Sequence, residues 1–464
     1  MERFDLVILG SGPAGEKAAA QAAYFGKRVA IVEREKEPGG AAVHTGTLPS
    51  KTLRESALFL SGHRTRALYG VSVELDSDAT LQTLMARKNA IAVSESKRIR
   101  ENLQRHHVTY LHGHGRLAGE GRVKVEAADG SFTEVEAEVV LIATGSVPRQ
   151  PEGVAFESER IHDSDEILRI DNIPKSLTIL GAGVIGSEYA CMFAALGVHV
   201  DLVDARPGIL PFLDFEIRDQ LAHAMGSLGI HLRQPHRWGA IVDTGSSVTV
   251  ELDDGTLLEN DELLFAAGRV GNTADIGLET VGLAANSRGY LEVDDAYRTT
   301  LPKILAVGDV IGFPALASTS MEQGRVAVCR AFGFDYKQSV HDMLPYGIYT
   351  IPEVSSVGKS EAEAKEAGIP YVTGRAKFAE NARGQIQGDL EGLLKLVVHA
   401  EKRTLLGVHV VGERASELVH LGQAVMLMGG TLDVFIDMVF NFPTLSEAYK
   451  YAAYDALGAL AKSS

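Results

Sequence analysis

Six glycines and two acids recur in this chain at matched spacing, and the chemistry they describe is the binding of dinucleotides. The first set is Gly10, Gly12 and Gly15, followed by Glu33; the second is Gly181, Gly183 and Gly186, followed by Asp204. The acid follows the first glycine at the same interval in both copies. In such a G-x-G-x-x-G the first glycine makes a tight turn and the second lets a pyrophosphate approach the backbone. The third lets helix and strand pack closely, and the acid accepts from ribose hydroxyls. A lone glycine triplet is weak evidence, because short patterns recur by chance. Two copies in one chain point to two dinucleotides, and so to hydride transfer between a nicotinamide and a bound flavin.

The elements needed around these residues are present. Leu6–Leu9 is an apolar strand before Gly10, Ala18–Ala23 a small-residue helix, and Val29–Val32 a second strand ending at Glu33. Ser176–Leu180 and Val198–Val203 play the same parts around the second copy. Further strand-to-turn signals are Val139–Ile142 into Thr144, Gly145 and Ser146, and Leu263 into Gly268 and Arg269. Asp309 closes the strand Ile304–Val307, where a carboxylate can hold a polyol by charge-assisted hydrogen bonds. By itself it reads more readily as a turn or helix-cap acid. Lys51, at the start of a helix, and Glu188, just inside the second nucleotide helix, are the charges to place near the reacting rings. In isolation each is an ordinary exposed charge. Asp204 favours an NAD ribose and repels a 2′-phosphate, whereas Arg206 can pair with that phosphate; on the residues alone NADH binds better than NADPH.

At 464 residues, 45% hydrophobic and 23% charged, the chain has the composition of a soluble globular protein of several domains. The net charge of −16 argues against nucleic acid or an anionic membrane as partner. Cys191 and Cys329 both lie in apolar, helix-like contexts and read as buried thiols, with no metal-ligand spacing. Met1–Asp5 carries acids where a signal peptide would be basic, and no apolar run is long enough for a membrane span, so a cytoplasmic location is expected. Beyond Leu344 the strands Tyr371–Phe378, Leu393–His399 and Thr404–Val411 and the helices Ala415–Met428, Leu432–Val439 and Leu445–Ala461 form a separate α+β unit. Fraying is expected at Lys462–Ser464.

The segment Gly39–Lys51, GGAAVHTGTLPSK, resembles the redox-disulfide segment of the class I pyridine nucleotide-disulfide oxidoreductases, GGxCxxxxCxPSK, with Ala42 and Thr47 at the two cysteine positions. The resemblance implies an α/β fold of two Rossmann-like dinucleotide-binding domains, glutathione reductase-like, with a C-terminal α+β interface domain of a homodimer. An FAD-binding domain would take residues 1–149 and 275–345, an NAD(P)-binding domain 150–274, and the interface domain 346–464. It further implies a flavin site at Arg34, Gly40, Ala42, Thr47, Gly115, Gly308, Asp309, Ala315, Leu316, Ala317 and Ser318, a nicotinamide wall at Ile185, and a Lys51–Glu188 pair beside the flavin N5. The family's proton-shuttling HPT motif is here Phe442-Pro443-Thr444, with Glu447 retained.

Loss of both thiols and the base resembles one branch of the family, the soluble pyridine nucleotide transhydrogenases. Further matches are GAGVIGSEYA, FLDFEI, AVGDVIGFPALAS and FNFPTLSEAY. That branch usually keeps one cysteine where this chain has Ala42. The implied reaction is ping-pong hydride transfer from NADPH to NAD+ through FAD, with no disulfide and no metal. Competing expectations are an NAD(P)H-dependent quinone or oxygen reductase, and a flavoprotein dimer kept for interaction. Outside these motifs, His44 reads as a ring contact or a structural polar contact, Trp238 as edge packing, and Tyr349 as interface core.

Overall fold

The computed structural model describes residues 1–62, 68–70 and 75–463. Its first sheet has seven strands. Thr109–His112, Val29–Glu33, Glu2–Leu9, Phe132–Ile142 and Ile304–Ala306 run parallel, in that order. Arg122–Glu126 and His114–Leu117 extend it as an antiparallel meander. Alternate side chains of Glu2–Leu9 serve two cores: Leu6 and Ile8 pack into one, Val7 and Leu9 into the other. A parallel strand covered on both faces needs this unbroken apolar run. Phe132–Ile142 is longer than the expected Val139–Ile142 because its first half alternates, with Glu136 and Glu138 exposed. That half faces water on one side and so lacks a continuous apolar signature.

The second sheet is fully parallel: Ile230–Arg233, His199–Val203, Ser176–Leu180, Glu262–Phe265 and Ile161–Asp163. Beside it lies a three-stranded antiparallel sheet, Trp238–Asp243, Val248–Leu252 and Leu257–Asn260. Trp238 packs edge-on against Phe265 and is partly exposed, as edge packing requires. The two chain segments that join this unit to the first, Ser146–Pro148 and Arg269–Gly271, pair with each other as an antiparallel ribbon.

The C-terminal sheet has five antiparallel strands in the order Tyr346–Ile348, Val354–Gly358, Leu405–Val411, Leu393–His399, Tyr371–Lys377. Leu394, Leu396 and Val398 face the helices Ala415–Leu427 and Ala448–Ser463. The expected helices here shift or shorten: Asp433–Asp437 replaces Leu432–Val439, and Ala448–Ser463 replaces Leu445–Ala461, because a tighter turn occupies Leu445–Glu447. The helix runs through Lys462 and Ser463, and Ser464 lies outside the described residues.

One apolar cluster ties the three units together. It joins Leu53 and Ala57 of helix Thr47–Ser61, Tyr189 and Phe193 of helix Val184–Ala195, and Val354, Leu393 and Val411 of the C-terminal sheet. A buried charge cluster reinforces it. Lys395, fully buried, sits 2.8 Å from Asp214 and 3.2 Å from Glu216 of the second unit and also contacts Glu361. Arg375 pairs with Glu216 from the same side. Large apolar side chains remain bare on the C-terminal unit, with Val439 94% and Phe442 73% exposed. Among the described residues no helix is long and apolar enough to cross a membrane.

Candidate active site

The first fingerprint has the geometry its glycines demand. Gly10 has φ +102°, and a Cβ there would lie 2.5 Å from the Ala143 carbonyl oxygen. A Cβ on Gly15 would lie 2.0 Å from the Gly10 oxygen, so only glycine allows this helix-to-strand approach. At Gly12 the nearest atom to such a Cβ is 3.9 Å away, which leaves the helix mouth open. The helix Pro13–Tyr24 has no side-chain cap, so its first N–H groups are free for an anion. Glu33 is buried at the end of the next strand. It accepts from the Ser11 N–H (2.9 Å), the Ser11 hydroxyl (2.6 Å) and the Glu35 N–H (2.9 Å), which fixes its orientation.

This mouth opens into a cleft of about 980 Å³. Gly10, Gly12, Glu33, Arg34, Gly40, Ala42, Thr47, Lys51 and Gly115 line it, with Thr144, Gly145 and Ser146. So do Gly308, Asp309, Ala315, Leu316, Ala317 and Ser318, and from the second unit Ile185, Glu188 and Arg269. The residues fit a bound dinucleotide. The Thr144 hydroxyl is buried without a hydrogen-bond partner, as a group that awaits a polar ligand would be. Asp309 is poised by the Ser146 hydroxyl, which donates to it at 2.9 Å. Arg269 in turn donates to the Ser146 hydroxyl and carbonyl, both at 2.9 Å, and reaches Asp165 at 3.0 Å. His44 contacts the Pro38 carbonyl at 3.1 Å, a structural polar contact on the cleft wall.

Lys51 and Glu188 meet where the two units join. Their Nζ–Oε2 distance is 2.7 Å, with Glu188 buried and Lys51 partly exposed. A third residue, Tyr349, completes the group. Its backbone N–H donates to Glu188 Oε1 at 2.9 Å, and its ring centroid lies 5.0 Å from Lys51 Nζ. Glu188 is thus held at both oxygens. Burial pushes the Tyr349 phenol above its usual range. Tyr349, expected in interface core, is a cleft residue. No local pattern announces it, since it comes from the segment that enters the C-terminal sheet. Arg54, also buried, anchors that segment by donating to the Thr350 carbonyl at 3.0 Å and facing Glu353 at 3.4 Å.

The second fingerprint repeats the first. Gly181 has φ +111°, and a Cβ on Gly186 would lie 1.9 Å from the Gly181 oxygen. A Cβ on Gly183 would meet nothing within 4 Å. These glycines, Gly15, Gly268, Asp204 and Arg206 do not border the large cleft. Helix Val184–Ala195 bridges the distance by carrying Ile185 and Glu188 into it. Asp204 accepts from the Ala182 N–H at 2.8 Å. Arg206 grips Asp204 through its backbone N–H (2.9 Å), Nε (2.9 Å) and Nη2 (2.8 Å). Burial raises the Asp204 carboxyl, but these bonds outweigh it and hold the group below its usual range. The same contact raises the Arg206 guanidinium.

No thiol borders the cleft among the described residues. Cys191 and Cys329 are buried in helices, and burial pushes Cys191 up to about 12, far from a reactive thiolate. Ala42 lies in helix Gly40–His44 and Thr47 opens helix Thr47–Ser61.

Known proteins match this chain along nearly its whole length. Residues 4–324 match the family model for pyridine nucleotide-disulphide oxidoreductases, and residues 344–453 match the dimerisation domain of the same family. The chain is 46% identical to the soluble pyridine nucleotide transhydrogenase of Mycobacterium tuberculosis over 98% of both chains. It is 42% identical to the protein of that name from Pseudomonas putida, over 98% of this chain and 99% of that one. Among solved structures, LpdA from Mycobacterium tuberculosis superposes with a TM-score of 0.88 at 31% identity, covering 98% of this chain and 99% of that one. The HOCl-induced flavoprotein disulfide reductase RclA from Escherichia coli gives 0.87 at 27%, covering 97% and 99%.

Proposed function

The chain belongs to the pyridine nucleotide-disulphide oxidoreductase family, and on that premise we propose that it is an FAD-dependent transhydrogenase that transfers hydride between NADPH and NAD+. The observation that carries this reading is a combination. The Lys51–Glu188–Tyr349 group is intact at the junction of the two nucleotide units, while Ala42, Thr47 and Phe442 stand where a disulfide reductase needs two thiols and a base. The proposed domains are residues 1–149 with 275–345 for FAD, 150–274 for NAD(P), and 346–464 for self-association. The bare apolar surface around Val439 and Phe442 suits a dimer. The fold and the relatives' names suit a cytoplasmic enzyme.

A bound FAD supplies reversible two-electron hydride exchange with a nicotinamide. The protein's residues bind, orient and polarise. The open helix mouth at Gly12 takes a pyrophosphate, Glu33 a ribose, and Asp309 a polyol. Lys51 places a positive charge in the cleft and Glu188 fixes its position, favouring negative charge that develops nearby. Ile185 and Glu188 form the wall that a nicotinamide meets. Ala42 and Thr47 offer no electron acceptor, and Phe442 cannot carry a proton, so hydride leaves by the route it entered. Donor and acceptor then use the second fingerprint in turn, a ping-pong scheme.

Rapid mixing tests it. NADPH should bleach the flavin absorbance of the purified protein, and NAD+ added afterwards should restore it. If NAD+ left the absorbance bleached while a quinone or oxygen restored it, the reading would fail in favour of a quinone or oxygen reductase.

A further inference from the structure

From a cluster remote from the cleft we infer a metal site: His199, Asp201 and His231 form a surface centre for one divalent transition-metal ion of the zinc type. His199 opens the strand His199–Val203, and Asp201 lies two residues on, so both side chains emerge on the same face. The parallel neighbour Ile230–Arg233 is in register with Asp201 opposite His231, which brings the second imidazole to that face. His199 Nε2 lies 3.3 Å from Asp201 Oδ2, and His231 Nδ1 lies 3.7 Å from Asp201 Oδ1. The three donor atoms all fall within 4.8 Å of one another. A tetrahedral ion bound at about 2.0–2.2 Å by nitrogen and oxygen needs donors roughly 3.3–3.6 Å apart, and each histidine already stands close to that distance from Asp201.

The chemistry of the set also fits. Two imidazoles and a carboxylate suit zinc, nickel or copper and disfavour calcium and magnesium. Asp201 is buried while both imidazoles are about half exposed, so an ion can enter and water can complete its shell. The rings meet edge to face with centroids 4.6 Å apart, so small rotations bring both nitrogens onto one point. Asn260 Nδ2 donates to Asp201 Oδ2 at 3.2 Å and Arg233 Nε to Oδ1 at 2.8 Å, outer contacts of the kind that fix a ligand carboxylate. The Arg233 charge opposes a second cation and makes the affinity moderate.

The ion would join two adjacent strands at the ends where they begin, opposite the fingerprint turn. Its readout is therefore binding rather than turnover. Calorimetric titration of the intact FAD-loaded protein, stripped with chelator, should show one equivalent of Zn2+ per chain. His199→Gln and His231→Gln should each weaken that equivalent at least tenfold. His236→Gln, in the His236–Asp253–Asp254 cluster elsewhere on the unit, should leave it unchanged. Uptake of no zinc by the unaltered protein, or retention of the equivalent at full affinity in the His199 and His231 variants, would overturn the assignment. Because both histidines are partly exposed, neither variant threatens folding, and retained flavin absorbance checks this directly.

Discussion

Replacing Arg206 with alanine should separate the two coenzymes. In the structure its guanidinium is committed to Asp204 through two side-chain bonds of 2.9 and 2.8 Å, while its backbone N–H supplies a third that alanine would keep. A 2′-phosphate entering beside Asp204 meets a carboxylate and needs the guanidinium to turn toward it. Loss of such a charge-assisted contact costs about 1.5–3 kcal/mol. The Arg206 side chain is 53% exposed, so the lower end applies. A loss of about 1.5–2 kcal/mol corresponds to a rise of roughly 10–30-fold in the NADPH KM. NADH presents ribose hydroxyls to Asp204, which the substitution leaves free, and its KM should stay within about threefold. Arg206 is too exposed for the pair to add more than about 1 kcal/mol to stability, so the melting temperature should hardly move. Steady-state KM values for both coenzymes on one preparation, with thio-NAD+ as acceptor, measure this. Equal losses for NADPH and NADH would refute the assignment of Arg206 to the phosphate.

The glycines make a sharper contrast. Gly183→Ala should fold and keep its flavin but weaken nicotinamide nucleotide binding at least tenfold, since the new methyl meets no protein atom but stands in the path of a pyrophosphate; Gly186→Ala, whose Cβ would lie 1.9 Å from a carbonyl oxygen, should give little soluble protein on expression. Tyr349→Ala should slow flavin reduction by NADPH in stopped flow by roughly 2–30-fold, the loss of about 0.5–2 kcal/mol of ring–cation contact, while Tyr349→Phe, which keeps both ring and backbone N–H, should be silent. Lys395→Met strands Asp214, Glu216 and Glu361 without their shared cation and should destabilise the protein by about 3–5 kcal/mol, seen as a lower melting temperature. Burial raises the Asp214 carboxyl, but bonds from Lys395 outweigh it, and Arg375 chiefly lowers Glu216. With both folded values below the unfolded ones, their contribution is present above about pH 4 and lost as pH falls through the lowered values. In Lys395→Met the melting curves should therefore lose the Asp214 part of that acid pH dependence and keep the part that Arg375 gives Glu216.

The two nucleotide folds are legible in the residues alone, because their constraints are local. Gly10, Gly15, Gly181 and Gly186 are forced by positive φ or by a carbonyl where Cβ would stand, and those conditions arise within a few residues of turn. Buried parallel strands such as Val29–Glu33 declare themselves by the apolar run Val29–Val32, whereas the first half of Phe132–Ile142 hid behind its exposed glutamates. The substitutions at Ala42, Thr47 and Phe442 were also legible, since loss of a thiol or an imidazole is a fact of composition at a framed position. Which charges meet is set by how distant segments pack. Lys51 and Glu188 were candidates on type and place, but their 2.7 Å contact and the arrival of Tyr349 depend on three segments packing together. Lys395 reads as an ordinary strand lysine until the fold sets three carboxylates around it. The direction in which Arg206 turns, toward Asp204, is likewise fixed by short-range geometry that spacing does not encode. Charges act through distance and burial, and both come into being only when separate elements are brought together.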